Sequence, residues 1–275
     1  MIQLGGNNPE ILENISVLCK EAGYDEINLN CGCPSSKVAN ANFGVCLMRE
    51  PETVADITKR IRKSTNMEIT VKCRLGIDSF DGEFLNRFIS TVAEKGEVNH
   101  FIIHSRVALM QMDTDKNRKI PPLQYEKVYE LKKKFPSLFF SLNGGIKTYE
   151  EIDDILINPE ISGVMIGRAA YDNPWMFGNI DKRFFNKKNP GLSRKEIVYK
   201  YSDYIEKVQD EGCSHNTLIK PLTNLFAGER KSSQFKNMLY NYRNEKQNYT
   251  LAEYVSWVVD QYEKLNEKAC NIKWD

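Results

Sequence analysis

Two observations in this 275-residue chain predict an α/β fold built on parallel strands, followed by a smaller all-helical domain. Up to Ile166, short apolar runs alternate with amphipathic ones at a spacing of about 30 residues, the pattern of strands joined by helical crossovers. After Ser193 the alternation stops and only helical periodicity remains. The length suits one large α/β domain, placed at residues 1–185, and a small one at 192–275, with 186–191 as linker.

Met1-Ile-Gln-Leu-Gly-Gly6 reads as a strand tail running into a glycine turn, and Asn8-Pro9-Glu10 opens a helix to about Ala22. Residues 25–29 form a short buried strand, ended sharply by Gly32 and Pro34. Helix 52–63, strand 68–73, helix 81–94 and strand 100–103 follow. A basic loop then leads into helix 123–135, strand 138–142, helix 149–157 and strand 163–166. This gives six strands, each followed by a helix. The tail supplies four amphipathic runs, 194–211, 216–226, 234–242 and 251–266.

Charge and composition narrow the function classes. A net charge of +1 sets up no global field for nucleic acid, so any RNA contact rests on local basic patches. Seven cysteines lie at irregular spacings, with Cys31 and Cys33 the only close pair; this is neither a zinc nor a disulfide framework and fits a reducing compartment. No apolar run reaches about 18 residues and no signal pattern opens the chain, so the expectation is a cytoplasmic protein, or an organellar one if Met1 is not the true start.

The chemistry-bearing residues gather at strand ends. Asn30 and Cys33 stand at the carboxyl edge of the second strand, where α/β folds place reactive groups. Lys72 and Arg74 are two apart at the end of the third strand and therefore share a face. His104 follows the fourth strand and is better placed for chemistry than His100, which opens it and suits a structural role. Asn143-Gly-Gly145 and Gly167-Arg168 end the last two strands, where bare backbone N–H groups and a helix amino terminus can cradle a phosphate. Lys116-Asn-Arg118-Lys119 is a basic loop, and Lys220, Arg230, Lys231 and Lys236 make a second basic cluster. Taken singly, each has a plainer reading as a loop thiol, a solvated charge or a tight turn.

Taken together and in order, the motifs carry more weight. Asn30-Cys-Gly-Cys-Pro-Ser35, Phe43-Gly44-x-Cys46-Leu47-Met48, Thr70-Val-Lys-Cys-Arg-Leu-Gly76, His104-Ser-Arg106, Pro121-Pro-Leu123, Asn143-Gly-Gly-Ile146 and Gly167-Arg168 span nearly the whole chain. They resemble the tRNA dihydrouridine synthases, in wording closest to the bacterial A-type branch. The resemblance implies an FMN-dependent, eight-stranded (β/α) TIM barrel followed by a helical tRNA-binding domain. It aligns Met1 with the start of the third barrel strand, so two amino-terminal βα units, roughly 60–70 residues, would be absent together with the family's flavin-facing Ala-Pro-Met segment. Six strands with two open edges are then expected to fold marginally, bind flavin poorly and associate through those edges.

The resemblance also implies FMN as cofactor, NADPH as reductant and tRNA as partner. Gln3, Lys72, His104, Asn143, Gly144, Gly145, Gly167 and Arg168 fall on the flavin side, where the Lys72 cation would stabilise negative charge on a reduced ring. Asn30, Arg74, Arg106, Lys116, Arg118, Lys220 and Lys236 fall on the substrate tRNA side. Arg230-Lys-Ser-Ser-Gln-Phe-Lys-Asn237 departs from the family's Pro-Gly-Ala-Arg-x-Trp-Arg-Arg-like segment. The implied activity is reduction of the C5–C6 double bond of a D-loop uridine: hydride passes to C6 of a flipped uracil and Cys33 protonates C5, thiols being mostly protonated at neutral pH. Two rivals stay open. One is an FMN-dependent dihydroorotate or dihydropyrimidine dehydrogenase, against which the helical tail and basic loop argue. The other is a non-catalytic tRNA-binding remnant, suggested by the absent strands.

Overall fold

The computed structural model describes residues 1–209, 211–245 and 247–274. They form two compact units, Met1–Gly167 and Arg168–Asp275.

The first unit is the parallel α/β sheet that the alternation predicts. Strands β1 (Ile2–Leu4), β2 (Glu26–Cys31), β3 (Glu68–Arg74), β4 (His100–His104), β5 (Phe139–Asn143) and β6 (Gly163–Met165) are all parallel and lie in chain order. Between them run α1 (Pro9–Glu21), the short α2 (Ser36–Asn40), α3 (Pro51–Thr65), α4 (Gly82–Gly96), α5 (Tyr125–Lys134) and α6 (Tyr149–Leu156). Consecutive parallel strands with helical crossovers are the building plan of a (β/α) barrel. Among the described residues β1 and β6 each have a single strand neighbour.

The two faces of this sheet differ in chemistry. Ile27, Leu29, Cys31, Ile69, Val71, Cys73, Phe101, Ile103, Phe140 and Leu142 alternate onto one face through the register and are fully buried. Helices α3 and α4 contribute Val54, Ile57, Ile61, Leu85, Phe88 and Val92 to the same apolar core. The other face carries Gln3, Asn28, Asn30, Thr70, Lys72, Arg74, His100, His104, Ser141 and Asn143. A parallel sheet normally reads as apolar on both sides. The polar face is therefore the one to search for function.

The second unit is helical: α7 (Arg168–Asp172), α8 (Ile180–Phe185), α9 (Arg194–Val208), α10 (His215–Ile219), α11 (Ser232–Tyr240), α12 (Tyr242–Glu245), α13 (Leu251–Glu263) and α14 (Glu267–Asn271). Capping boxes at Ser193 and Thr250 start its two long helices. The helix expected over 194–211 ends at Val208, and Asp210 lies outside the described residues. The run expected as a helix over 216–226 breaks at Ile219, because Pro221 has no N–H to continue it and a 3₁₀ turn, Lys220–Leu222, takes over. Val198, Ile205, Phe226, Phe235, Tyr254, Val258 and Tyr262 form the core, and Trp175 belongs to it. Trp175 stacks on Trp274 at 5.9 Å. Packing thus draws 168–185 into the helical unit, a segment that the strand pattern alone assigns to the first. No described helix is long and apolar enough to cross a membrane.

Candidate active site

Strand β2 runs on to Cys31, which puts Asn30 inside the sheet and Cys33 just past its carboxyl end. The Asn30 Oδ1 accepts the backbone N–H groups of both Gly32 and Cys33 at 3.0 Å, while its Nδ2 donates to Gln3 Oε1 at 3.1 Å. This is a side-chain-directed turn that aims the residue after it. At Gly32 a Cβ would sit 3.3 Å from the Cys73 carbonyl carbon, so the turn lies close against β3. Gly44, at φ +65°, closes the other side: a Cβ there would come within 2.6 Å of the Cys33 carbonyl oxygen, and the next residue, Val45, donates its N–H to that oxygen at 3.0 Å. Cys33 itself is half-buried.

Across the polar face, side chains bond from strand to strand. Gln3 Nε2 donates to Asn28 Oδ1 at 2.7 Å, Asn28 Nδ2 to Thr70 Oγ1 at 2.9 Å, and Thr70 Oγ1 to Glu26 Oε1 at 2.9 Å. His100 Nε2 lies 2.8 Å from Ser141 Oγ, and burial holds the His100 pKa below its ordinary value. Lys72 is level with Asn30 in the register. Burial, with the positive charge of Arg74 behind it, brings Lys72 down to about 8. Cys31 and Cys73 lie level with each other, fully buried on the apolar face, where burial raises Cys73 to about 12 and Cys31 well above the ordinary thiol range. Cys33 is the thiol on the working side.

At the far end of the sheet, His104 is level with Asn143, whose Nδ2 donates to the Met165 carbonyl at 2.7 Å. Gly144 and Gly145 follow with φ +117° and +81°. A Cβ at Gly144 would lie 2.7 Å from His104 Cδ2, and one at Gly145 2.6 Å from Leu123 Cδ1. Only glycine fits such a close approach. Tyr125 OH fixes the loop by donating to the Gly144 carbonyl at 2.6 Å.

The profile of the dihydrouridine synthase (Dus) family matches residues 1–261. The chain belongs to the dihydrouridine synthase family. Curated relatives named tRNA-dihydrouridine(20/20a) synthase include that of Vibrio cholerae, 41% identical over 237 residues, 86% of this chain and 72% of the relative. Those of Yersinia pestis and Synechocystis sp. are each 40% identical over 240 residues, 86% of this chain and 69% and 71% of the relatives. Among solved structures, morphinone reductase in complex with tetrahydroNAD is 12% identical with a TM-score of 0.40, over 62% of this chain and 47% of that one. That likeness is too remote to carry an argument.

In this dihydrouridine synthase chain the expected site residues separate into groups. Gln3, Asn30, Cys33 and Lys72 come together around β1–β3, and His104, Asn143, Gly144 and Gly145 around β4–β5. Gly167 is exposed at the end of the first unit, whereas Arg168, Lys220 and Lys236 lie in the second. Lys220 Nζ sits 5.6 Å over the Tyr171 ring, and Lys236 is exposed on α11. Two of the residues expected at the RNA are buried. Arg74 is 3% exposed and donates to the carbonyls of Gly32, Val107 and Asn117. Arg106 is buried as well, with Nη1 donating to the Pro121 carbonyl. Both guanidiniums are turned inward because loop carbonyls need donors there. Lys116 and Arg118 are exposed, but Lys116 pairs with Asp113 at 3.6 Å and Lys119 with Asp115 at 2.6 Å, so the loop is less basic than its cations suggest. Sequence reasoning missed Asn117, which has no exposed surface, and the polar row Asn28–Thr70. Strict polar alternation, Asn28-x-Asn30 and Thr70-x-Lys72-x-Arg74, is the signal that marks the row.

Proposed function

We propose that this chain reduces the C5–C6 double bond of uridine in tRNA, with FMN as cofactor, NADPH as reductant and Cys33 as the proton donor to C5. The uridines in the relatives' names, 20 and 20a, are the proposed targets. One observation carries the reading: Cys33 stands half-buried past β2, its amide held by Asn30, which is the residue level with the Lys72 cation. The bare amides of Gly144 and Gly145 suit the cofactor's phosphate, and Lys72 suits the electron-rich pyrimidine part of its ring. When bound, reduced FMN supplies the hydride for C6.

The protein's own residues do the rest. Asn30 holds the backbone that carries Cys33 in place, and the thiol gives its proton to C5 as the ring loses aromatic character. A uracil reaches that thiol only after leaving its stack, so cations outside the pocket hold the RNA while the base turns in. Lys116 and Arg118 are proposed for that task, with Lys220 and Lys236 of the helical unit. The test is Cys33→Ala, followed by nucleoside mass spectrometry of tRNA and by flavin absorbance. Dihydrouridine formation is expected to fall roughly 10²–10⁴-fold with flavin retained. Near-full turnover would assign the proton to another group.

A further inference from the structure

Arg74 joins three loops. Its Nε donates to the Gly32 carbonyl at 3.1 Å, and Nη1 donates to the Val107 carbonyl at 3.2 Å and to the Asn117 carbonyl at 3.1 Å. Gly32 precedes Cys33, Val107 follows β4, and Asn117 sits between Lys116 and Arg118 in the basic loop. A buried guanidinium held by main-chain carbonyls is retained only where those carbonyls stay in place. Asn117 keeps one of them in place. Its side chain has no exposed surface; Nδ2 donates to the carbonyls of Leu109 at 2.7 Å, Met112 at 2.8 Å and Asp113 at 3.3 Å, and Oδ1 accepts the Leu109 N–H at 2.8 Å. One amide therefore organises the loop from inside while its neighbours, Lys116 and Arg118, face solvent.

We propose that Asn117, acting through Arg74, is a positioning residue for Cys33, so that the loop carrying Lys116 and Arg118 and the turn carrying the thiol hold their places as one unit. The inference rests on the function proposed above for its consequence, not for its geometry. If the loop is displaced, the Asn117 carbonyl leaves Arg74, the guanidinium is anchored by the Val107 carbonyl alone, and its hold on the Gly32 carbonyl loosens. The Cys33 turn then keeps the Asn30 side chain and the Val45 N–H as its supports and loses the one that ties it to the basic loop.

The experiment reads Cys33 directly. Arg74→Lys, Asn117→Ala and the double variant are treated with iodoacetamide without RNA, and alkylation is followed by peptide mass spectrometry at Cys33, with exposed Cys213 as internal reference. Each single change is expected to raise the Cys33 rate by at least about fivefold at an unchanged Cys213 rate. The double variant is expected to add nothing, since both act on one chain of bonds. Unchanged Cys33 rates, or single effects that multiply in the double variant, would overturn the proposal. If Asn117→Ala melts below the assay temperature, Asn117→Ser takes its place under the same criteria. A parent protein that forms no dihydrouridine would refute the proposed function and leave this reading of Cys33 intact.

Discussion

Asn30 and Cys33 are tied side chain to backbone: the Asn30 Oδ1 accepts the Cys33 N–H at 3.0 Å while its Nδ2 reaches Gln3 on the neighbouring strand. An amide of this length does both; a carboxylate only accepts and a methyl does neither. Asn30→Asp is therefore expected to keep the turn and lose the link to β1, whereas Asn30→Ala frees two backbone N–H groups. The alanine variant should lose about 1–2 kcal/mol of stability, the aspartate variant less. Urea denaturation checks the order, and dihydrouridine formation should follow it.

How much of this was legible from residues alone depends on the range of the interaction. The strands and helices of the first unit follow from apolar spacing, and Lys72, His104 and Gly144 from their places at strand ends. Gly44 stands in a quoted motif, but its reason, the approach to the Cys33 carbonyl, needs the fold. Arg74 and Arg106 look like RNA contacts in sequence because a strand-end cation has no mark of burial; their carbonyl partners lie in loops from 13 to 43 residues away. The assignment of Trp175 to the helical core depends likewise on Trp274, 99 residues on.

Lys72 makes the stability of the first unit rise with pH on the alkaline side. Its pKa is held at about 8, against about 10.4 for a free lysine. Between those values the unfolded chain binds a proton that the folded chain has given up, so stability rises with pH across that window; below it the full penalty of the buried charge is present. Lys72→Met should stabilise the unit at pH 7 and flatten the rise between pH 8 and 10, as read by urea denaturation at each pH. If Lys72 holds the flavin as proposed, flavin affinity should fall in the parent as pH passes 8 and stay low in Lys72→Met at both ends. Fluorescence titration with FMN distinguishes the two trends.

The basic loop carries its own restraint. Asp113 is held below the ordinary carboxylate range, first by the Lys116 backbone N–H, and Asp115 by the Lys119 ammonium. Exposed pairs of this kind add little stability. They nonetheless compete with phosphate for the same cations. Lys116→Ala with Arg118→Ala should weaken tRNA binding and reduce the slope of log affinity against log salt by about 1–2. Asp113→Asn with Asp115→Asn should strengthen binding at low salt. Filter binding over a salt series measures both.

In the helical unit the stability test falls on Arg194, which is 3% exposed. Its Nε donates to the Leu225 carbonyl and Nη1 to the Ala269 carbonyl, both at 3.0 Å, Nη2 meets Glu229 at 2.9 Å, and the guanidinium lies 4.3 Å over the Trp175 ring. One side chain thus joins the start of α9 to the turn after Leu222, to α14 and to the tryptophan pair. Arg194→Ala would strand two carbonyls and a half-buried carboxylate, and removing one partner of such a set costs about 3–5 kcal/mol. Lys195, paired with Glu263 at 2.5 Å, is more exposed, and Lys195→Ala should cost at most about 1 kcal/mol. The three tryptophans, Trp175, Trp257 and Trp274, all lie in this unit, so their fluorescence reports its unfolding alone. The denaturant midpoint of Arg194→Ala should fall well below that of Lys195→Ala, and Arg194→Met with Glu229→Leu should recover much of the difference, because an apolar pair leaves no buried charge unanswered. Equal midpoints for Arg194→Ala and Lys195→Ala would show that Arg194 holds nothing together.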